Sequence, residues 1–137
     1  MSNIVISTDS TADLSPELIA KHKISIAPLH VILGEEDYLD GVNITPQMIF
    51  DYVAKTGVLP KTSACSVEQY LTLFAELLKN NDEVIHFDIS TDCSSSGVNA
   101  KLAAESFNGK VHVIDTRQLS TGQGLLVMKA VDLRAEG

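Results

Sequence analysis

Val84-Ile85-His86-Phe87-Asp88-Ile89, followed at once by Ser90-Thr91-Asp92-Cys93-Ser94-Ser95-Ser96-Gly97, sets the fold class of this chain. A run rich in β-branched and aromatic side chains, broken by one histidine and one aspartate, predicts a strand covered on both faces, as in a parallel sheet. The serine-rich run after it predicts a loop opening into a helix over residues 94–107. Asn108-Gly109 then marks a turn. Lys110-Val111-His112-Val113-Ile114-Asp115 reads as the next strand, and residues 122–134, rich in Leu, Val and Ala, as the last helix. The same alternation runs upstream. Ile4-Val5-Ile6 predicts a first strand, Ser15-Pro16-Glu17 a helix with a hydroxyl cap and proline at its first position, and residues 24–33 a second strand. Residues 35–41 read as a turn or short hairpin. Thr45-Pro46 starts a helix with Met48, Ile49, Tyr52 and Val53 on one stripe, and Ser66-Val67-Glu68 another with Tyr70, Leu71, Phe74, Leu77 and Leu78. Strands alternating with helices predict an α/β fold, a parallel-sheet β-α-β sandwich with helices on both faces.

Composition narrows the function classes. The chain has 137 residues, enough to bury a core, with 45% hydrophobic and 20% charged residues. Its net charge is −8, and its 10 Lys+Arg are scattered rather than gathered into a stripe, which argues against nucleic acid. An acidic surface also disfavours anionic membranes. No apolar run approaches the ~20 residues of a membrane span, and Met1-Ser2-Asn3-Ile4 lacks a signal peptide's charged and apolar regions. A cytoplasmic location follows as the expectation. Cys65 and Cys93 are too few for a disulfide framework and lack zinc spacing.

In an open parallel sheet, ligands bind beyond the carboxyl ends of the strands. Four loops are expected there: Ser7-Thr8-Asp9-Ser10-Thr11, Lys61-Thr62-Ser63-Ala64-Cys65-Ser66, Ser90 to Gly97, and Asp115-Thr116-Arg117-Gln118-Leu119-Ser120-Thr121-Gly122. Together they gather hydroxyls and helix-terminal N–H groups, which suits a small anion. One cap per helix is ordinary, but a helix has no use for three consecutive capping serines at 94–96. Asp9, Ser10, Ser63 and Ser120 are the supporting candidates in these loops. Asp9, Asp92 and Asp115 stand singly on three loops and read as caps, so no metal site is expected. The sequence contains no Walker loop, no Gly-x-Gly-x-x-Gly and no Gly-x-Ser-x-Gly, and His22, His30, His86 and His112 are scattered.

The ordered motifs resemble the bacterial DegV-like family of fatty-acid-binding proteins. Thr8-Asp9-Ser10-Thr11-Ala12-Asp13-Leu14 is similar to that family's opening motif. Thr62-Ser63-Ala64-Cys65-Ser66 resembles its Thr-Ser-x-Pro-Ser, with cysteine for proline. Ile89 to Ser96 resembles its Ile-Ser-Ser-x-Leu-Ser-Gly-Thr, and Val113-Ile114-Asp115-Thr116-Arg117 with Ser120-Thr121-Gly122-Gln123-Gly124 its last motif. The resemblance implies a non-enzymatic carrier that binds a long-chain fatty acid and presents its carboxylate to a separate fatty acid kinase, with no cofactor. It places the head-group hydroxyls at Thr62 and Ser94 and a carboxylate-binding backbone N–H at Ser95. Ser95 stands where the family has glycine, so a positive φ there would be strained, and Gly97 stands where it has tyrosine. The resemblance also implies that residues 1–137 are one domain, the family's N-terminal domain, with its C-terminal domain absent as in a truncated chain. The face so exposed invites self-association. The competing readings are a phosphotransfer or dihydroxyacetone-kinase-like enzyme module on a related α/β fold, and a structural fragment that binds nothing.

Overall fold

The computed structural model describes residues 2–137. In chain order its elements are β1 (Ile4–Asp9), α1 (Pro16–His22), β2 (Ser25–Ala27), β3 (His30–Leu33), β4 (Glu36–Leu39), α2 (Pro46–Thr56), β5 (Lys61–Ser63), α3 (Val67–Leu77), β6 (Glu83–Asp88), α4 (Ser96–Ala104), β7 (Val111–Asp115) and α5 (Thr121–Glu136). Single 3-10 turns follow β1 and α4. The helix starts are the ones the caps dictate. Ser15 and Thr45 each accept an amide three residues on, with proline next in line. Ser66 and Gln69 exchange both bonds of a capping box.

Four strands form a parallel sheet in the order β2-β1-β6-β7 among the described residues. Two helical layers cover it. On one face α3 and α4 bury Tyr70, Phe74, Ala100 and Ala103 against Val5, Val84 and Val111. On the other, α5 and the residues around α1 and β2 bury Val127, Val131 and Ile24 against Ile6 and Phe87. The expected α/β sandwich with helices on both faces is the fold observed.

Two expectations change. Residues 24–33 are two short strands, because Pro28 has no amide to give to a ladder and turns the chain: β2 joins the parallel sheet and β3 leaves it. The Lys61–Ser63 stretch, read as loop, is a strand pairing antiparallel with β3 in the register Val31↔Thr62 and His30↔Ser63. With the β3–β4 hairpin it makes a second sheet, ordered β4-β3-β5, packed through Val31, Leu33 and Ile44 against Ile49 and Tyr52 of α2.

Candidate functional site

The chain turns back between β1 and β6, since β2 lies on one side of β1 and β7 on the far side of β6. A crevice at such a switch point is where open α/β sheets place ligands. Here Asp9 closes its floor. The Asp9 side chain is fully buried, and Oδ2 accepts the Ile89 amide at 2.6 Å. Oδ1 accepts from the Thr11 amide at 2.9 Å and from Gln123 Nε2 at 3.0 Å, and Gln123 Nε2 also donates to Thr8 Oγ1 at 2.9 Å. One carboxylate therefore ties the ends of β1 and β6 to the start of α5. Burial raises the Asp9 carboxyl above its ordinary range, against the lowering pull of the bonds from Thr11, Ile89 and Gln123.

The loop after β6 is fastened on both sides. Towards β7, Thr116 donates both its amide and its hydroxyl to the Asp88 carbonyl, Ser90 donates its amide to the Gln118 carbonyl, and Thr91 Oγ1 donates to Asp115. Towards β5, the Cys65 amide donates to Ser96 Oγ at 3.3 Å and Asn99 Nδ2 to the Cys65 carbonyl at 2.7 Å. The Thr62–Cys65 segment thus docks on the first turn of α4, although the two segments are some 30 residues apart in sequence.

The three serines at 94–96 divide the work. Ser94 Oγ, half-buried, accepts the Ser96 amide and contacts Ser96 Oγ, both at 3.1 Å. Ser96, fully buried, receives Cys65. Ser95 is exposed and provides no side-chain cap, so the side-chain acceptor at the start of α4 is Ser94 Oγ on the Ser96 amide. The strain expected at Ser95 does not arise, because φ is −79° and ψ −2°, ordinary right-handed geometry. Gly97 packs tightly: a Cβ there would stand 3.2 Å from Thr91 Cγ2 and 3.5 Å from Asp88 Cβ. Thr62 is exposed on β5.

The supporting candidates separate. Ser10 Oγ accepts the Leu29 amide at 3.0 Å, and Ser120 Oγ donates to Asp13 at 2.7 Å. Ser63 is exposed beside Thr62. Thr62 and Ser63 lie on β5 and Ser94 and Ser95 in the loop entering α4, two segments joined through Cys65 to Ser96 and Asn99, whereas Asp9, Ser10 and Ser120 spend their polar atoms on other partners. No group of three or more His, Cys, Asp or Glu side chains able to hold a metal occurs among the described residues.

A polar chain under the rim escaped the sequence reading. Ser7 Oγ lies 2.7 Å from His86 Nδ1, His86 Nε2 lies 3.3 Å from Asp88 Oδ1, and the Tyr70 hydroxyl donates to Asp88 Oδ1 at 2.8 Å. His86 and Asp88 are fully buried, and His86 Nε2 and Asp88 Oδ2 have no hydrogen-bond partner. The Ser–His–Asp combination has no opening to a substrate. Burial pushes the Tyr70 hydroxyl far upward, helped by the Asp88 charge. The strand alternation put His86 and Asp88 on one face, but their partner Ser7, on β1, is visible only in three dimensions.

The chain is a doubly wound α/β domain whose loops at the carboxyl edge of the sheet carry several hydroxyl side chains. Residues 3–137 match the family described as "Uncharacterised protein, DegV family". The chain belongs to the DegV family. A DegV domain-containing protein of Deinococcus radiodurans is 36% identical over 135 residues, 98% of this chain and 48% of its own length. A DegV domain-containing protein of Clostridium perfringens is 35% identical over 138 residues, covering 100% of this chain and 50% of that one. Among solved structures, "Fatty Acid Binding of a DegV family Protein from Thermus thermophilus" superposes with a TM-score of 0.92 at 37% identity, over 98% of this chain and 48% of that one. A stearic-acid-binding protein from Eubacterium ventriosum gives 0.87 at 35% identity, over 100% and 48%. The chain therefore spans about half the length of the relatives it matches.

Proposed function

We propose that this chain binds a long-chain fatty acid in the cytoplasm, gripping the carboxylate between the Thr62 and Ser94 hydroxyls and the Ser95 amide. The observation that carries the reading is the pair of bonds from Cys65 to Ser96 and Asn99, which joins the segment after β5 to the first turn of α4. Hydroxyl and amide donors bind a carboxylate without a full countercharge. Ser94 takes part by swinging its hydroxyl from Ser96 Oγ to the ligand. Similar proteins described as binding fatty acids, one of them stearic acid, support the ligand class. An acyl tail contributes about 0.8 kcal/mol per methylene removed from water, so most of the affinity comes from apolar walls. Neither His86 nor Cys65 offers a reactive group at the rim: His86 is sealed, and burial pushes the Cys65 thiol up to about 12. The protein then acts as a carrier rather than an enzyme, and an exposed carboxylate is open to a separate kinase.

The test is native mass spectrometry of the purified chain, followed by extraction and lipid identification. The reading expects a co-purified fatty acid that is lost in a Thr62→Ala/Ser94→Ala double variant. Lipid retained in full by that variant would overturn the assignment of the head group. A wild-type chain that takes up no palmitate when saturated with it would overturn binding by this chain.

A further inference from the structure

His30 stands on β3, the middle strand of the small sheet, opposite Ser63 of β5 and Leu39 of β4. Its side chain is 20% exposed and is engaged at both ring nitrogens. Nδ1 lies 2.8 and 2.9 Å from the two carboxylate oxygens of Asp37 on β4. The ring Nε2 lies 2.8 Å from Gln69 Nε2 and 3.1 Å from Gln69 Oε1, on α3. Gln69 is also the capping residue of α3, its Oε1 accepting the Ser66 amide at 2.8 Å. One histidine therefore brackets Ala64-Cys65-Ser66, the link by which the Thr62 strand enters α3. Its ladder partner Ser63 stands at the start of that link, and its ring reaches the end through Gln69.

We infer that His30 is a protonation-dependent latch: the imidazolium clamps the strand carrying Thr62 to the start of α3, and the neutral ring holds it less firmly. The Asp37 carboxylate only accepts, so the proton on Nδ1 stays there in both states. Nε2 is the atom that changes role. In the neutral ring it accepts from the Gln69 NH2 group; in the imidazolium it donates to Gln69 Oε1, which has a second lone pair beside the one used by Ser66. The charged form thus makes a charge-assisted bond at each nitrogen. Asp37 is the charge that acts on the ring. On the same face Lys61 stands opposite Ile32, diagonal to His30, while α3 brings the uncharged Gln69, with Thr72 and Leu73 one turn on. The positive end of α3 opposes the imidazolium, and Glu68 in its first turn offsets that. The bonds to Gln69 and Asp37, with the Asp37 charge, hold the His30 ring above its ordinary range against the opposing effect of burial. A group raised in this way stabilises the fold fully below its unfolded value, and the contribution is lost as pH rises through the folded one. The latch is therefore fast in mild acid and loosens as pH climbs past the raised value.

The latch is tested without ligand, so its failure is distinct from failure of the head-group reading. The isotope-labelled full chain is titrated from about pH 5 to about pH 9 while histidine rings and backbone amides are followed by NMR. The expected result is that the Ser63 and Ser66 amides titrate with the midpoint of the His30 ring. Hydrogen-exchange protection of the β3–β5 ladder, corrected for the intrinsic rate, falls several-fold across that midpoint. Gln69→Glu keeps an acceptor for the Ser66 amide and sets a charge against Nε2, so the midpoint rises. Asp37→Asn lowers it. His30→Gln, which has no titrating ring, shows the weaker protection at every pH. Asp37 is 56% exposed, so its variant keeps the test valid if His30→Gln fails to fold. A His30 midpoint that neither Gln69→Glu nor Asp37→Asn moves overturns the inference. So does ladder protection that stays flat across the midpoint, or a pH dependence that survives in His30→Gln.

Discussion

Replacing Asp9 by asparagine removes one oxygen from a carboxylate that uses both. An asparagine oriented to satisfy the Thr11 and Gln123 donors turns its NH2 group on the Ile89 amide, which donates to Asp9 Oδ2 at 2.6 Å. Two donors then face each other in a site with no solvent exposure. A buried amide left unpaired costs about 1–3 kcal/mol. Relief from burying a carboxylate, the cause of Asp9's raised carboxyl, offsets part of that. The expected net loss is about 1–2 kcal/mol at neutral pH, a fall in Tm of roughly 4–8 °C, read by urea and thermal unfolding under circular dichroism. The pH dependence has a definite sign. With its folded pKa raised above the ordinary 3.8, Asp9 binds more protons in the native state than in the unfolded one just above that value. Wild-type stability from this group therefore falls as pH rises through the window. Asparagine has no such term, so the deficit of Asp9→Asn narrows as pH rises above the ordinary carboxylate range. A variant as stable as wild type at every pH refutes the role of Asp9 as the knot of three loops. A deficit that widens with pH refutes the raised carboxyl.

Thiol chemistry separates the two cysteines. Cys65 is buried, its thiol donates to the Pro28 carbonyl, and its pKa is pushed to about 12, whereas Cys93 is exposed. Titration of the native protein with a disulfide reagent near pH 8 should give one fast equivalent, and Cys93→Ser none; two fast equivalents would contradict the packing of the Cys65 loop. Two glycines at the start of α5 should respond with opposite signs to alanine. A Cβ on Gly124 meets the Ala12 carbonyl oxygen at 2.8 Å, so Gly124→Ala should cost about 1–2 kcal/mol even after the helix-propensity gain. At Gly122 it meets only the exposed Gln118 side chain, so Gly122→Ala should be neutral or stabilising by up to about 1 kcal/mol. Denaturant midpoints check both, and stabilisation at Gly124 would show that α5 does not press on the turn after β1.

Much of the fold is legible along the chain because its signals are local. Ser15-Pro16, Thr45-Pro46 and Ser66-Val67-Glu68 announce three helix starts, and the strand expected at 84–89 lies in the interior of the sheet. Lys61–Ser63 was hidden because all three of its residues are exposed, so no alternation marks it; its strand character comes from β3 alone. Pro28 carried the signal that divides β2 from β3. The surplus of serines at 94–96 is plain in the sequence. What it could not convey is that Ser94 and Ser96 bond to each other while Ser95 is left over. Asp9 looked like its neighbours in a polar loop, and its removal from the surface depends on Ile89 and Gln123, about 80 and 114 residues away.

The central claim, that the rim between β5 and α4 receives a carboxylate, is tested most directly by titrating isotope-labelled protein with palmitate and following backbone amides by NMR. The account predicts the largest shifts at Thr62, Ser94 and Ser95, with the Ser95 amide moving downfield as it gains a charged acceptor. Perturbation confined to other loops, with Thr62 and Ser95 unmoved at saturation, would contradict it.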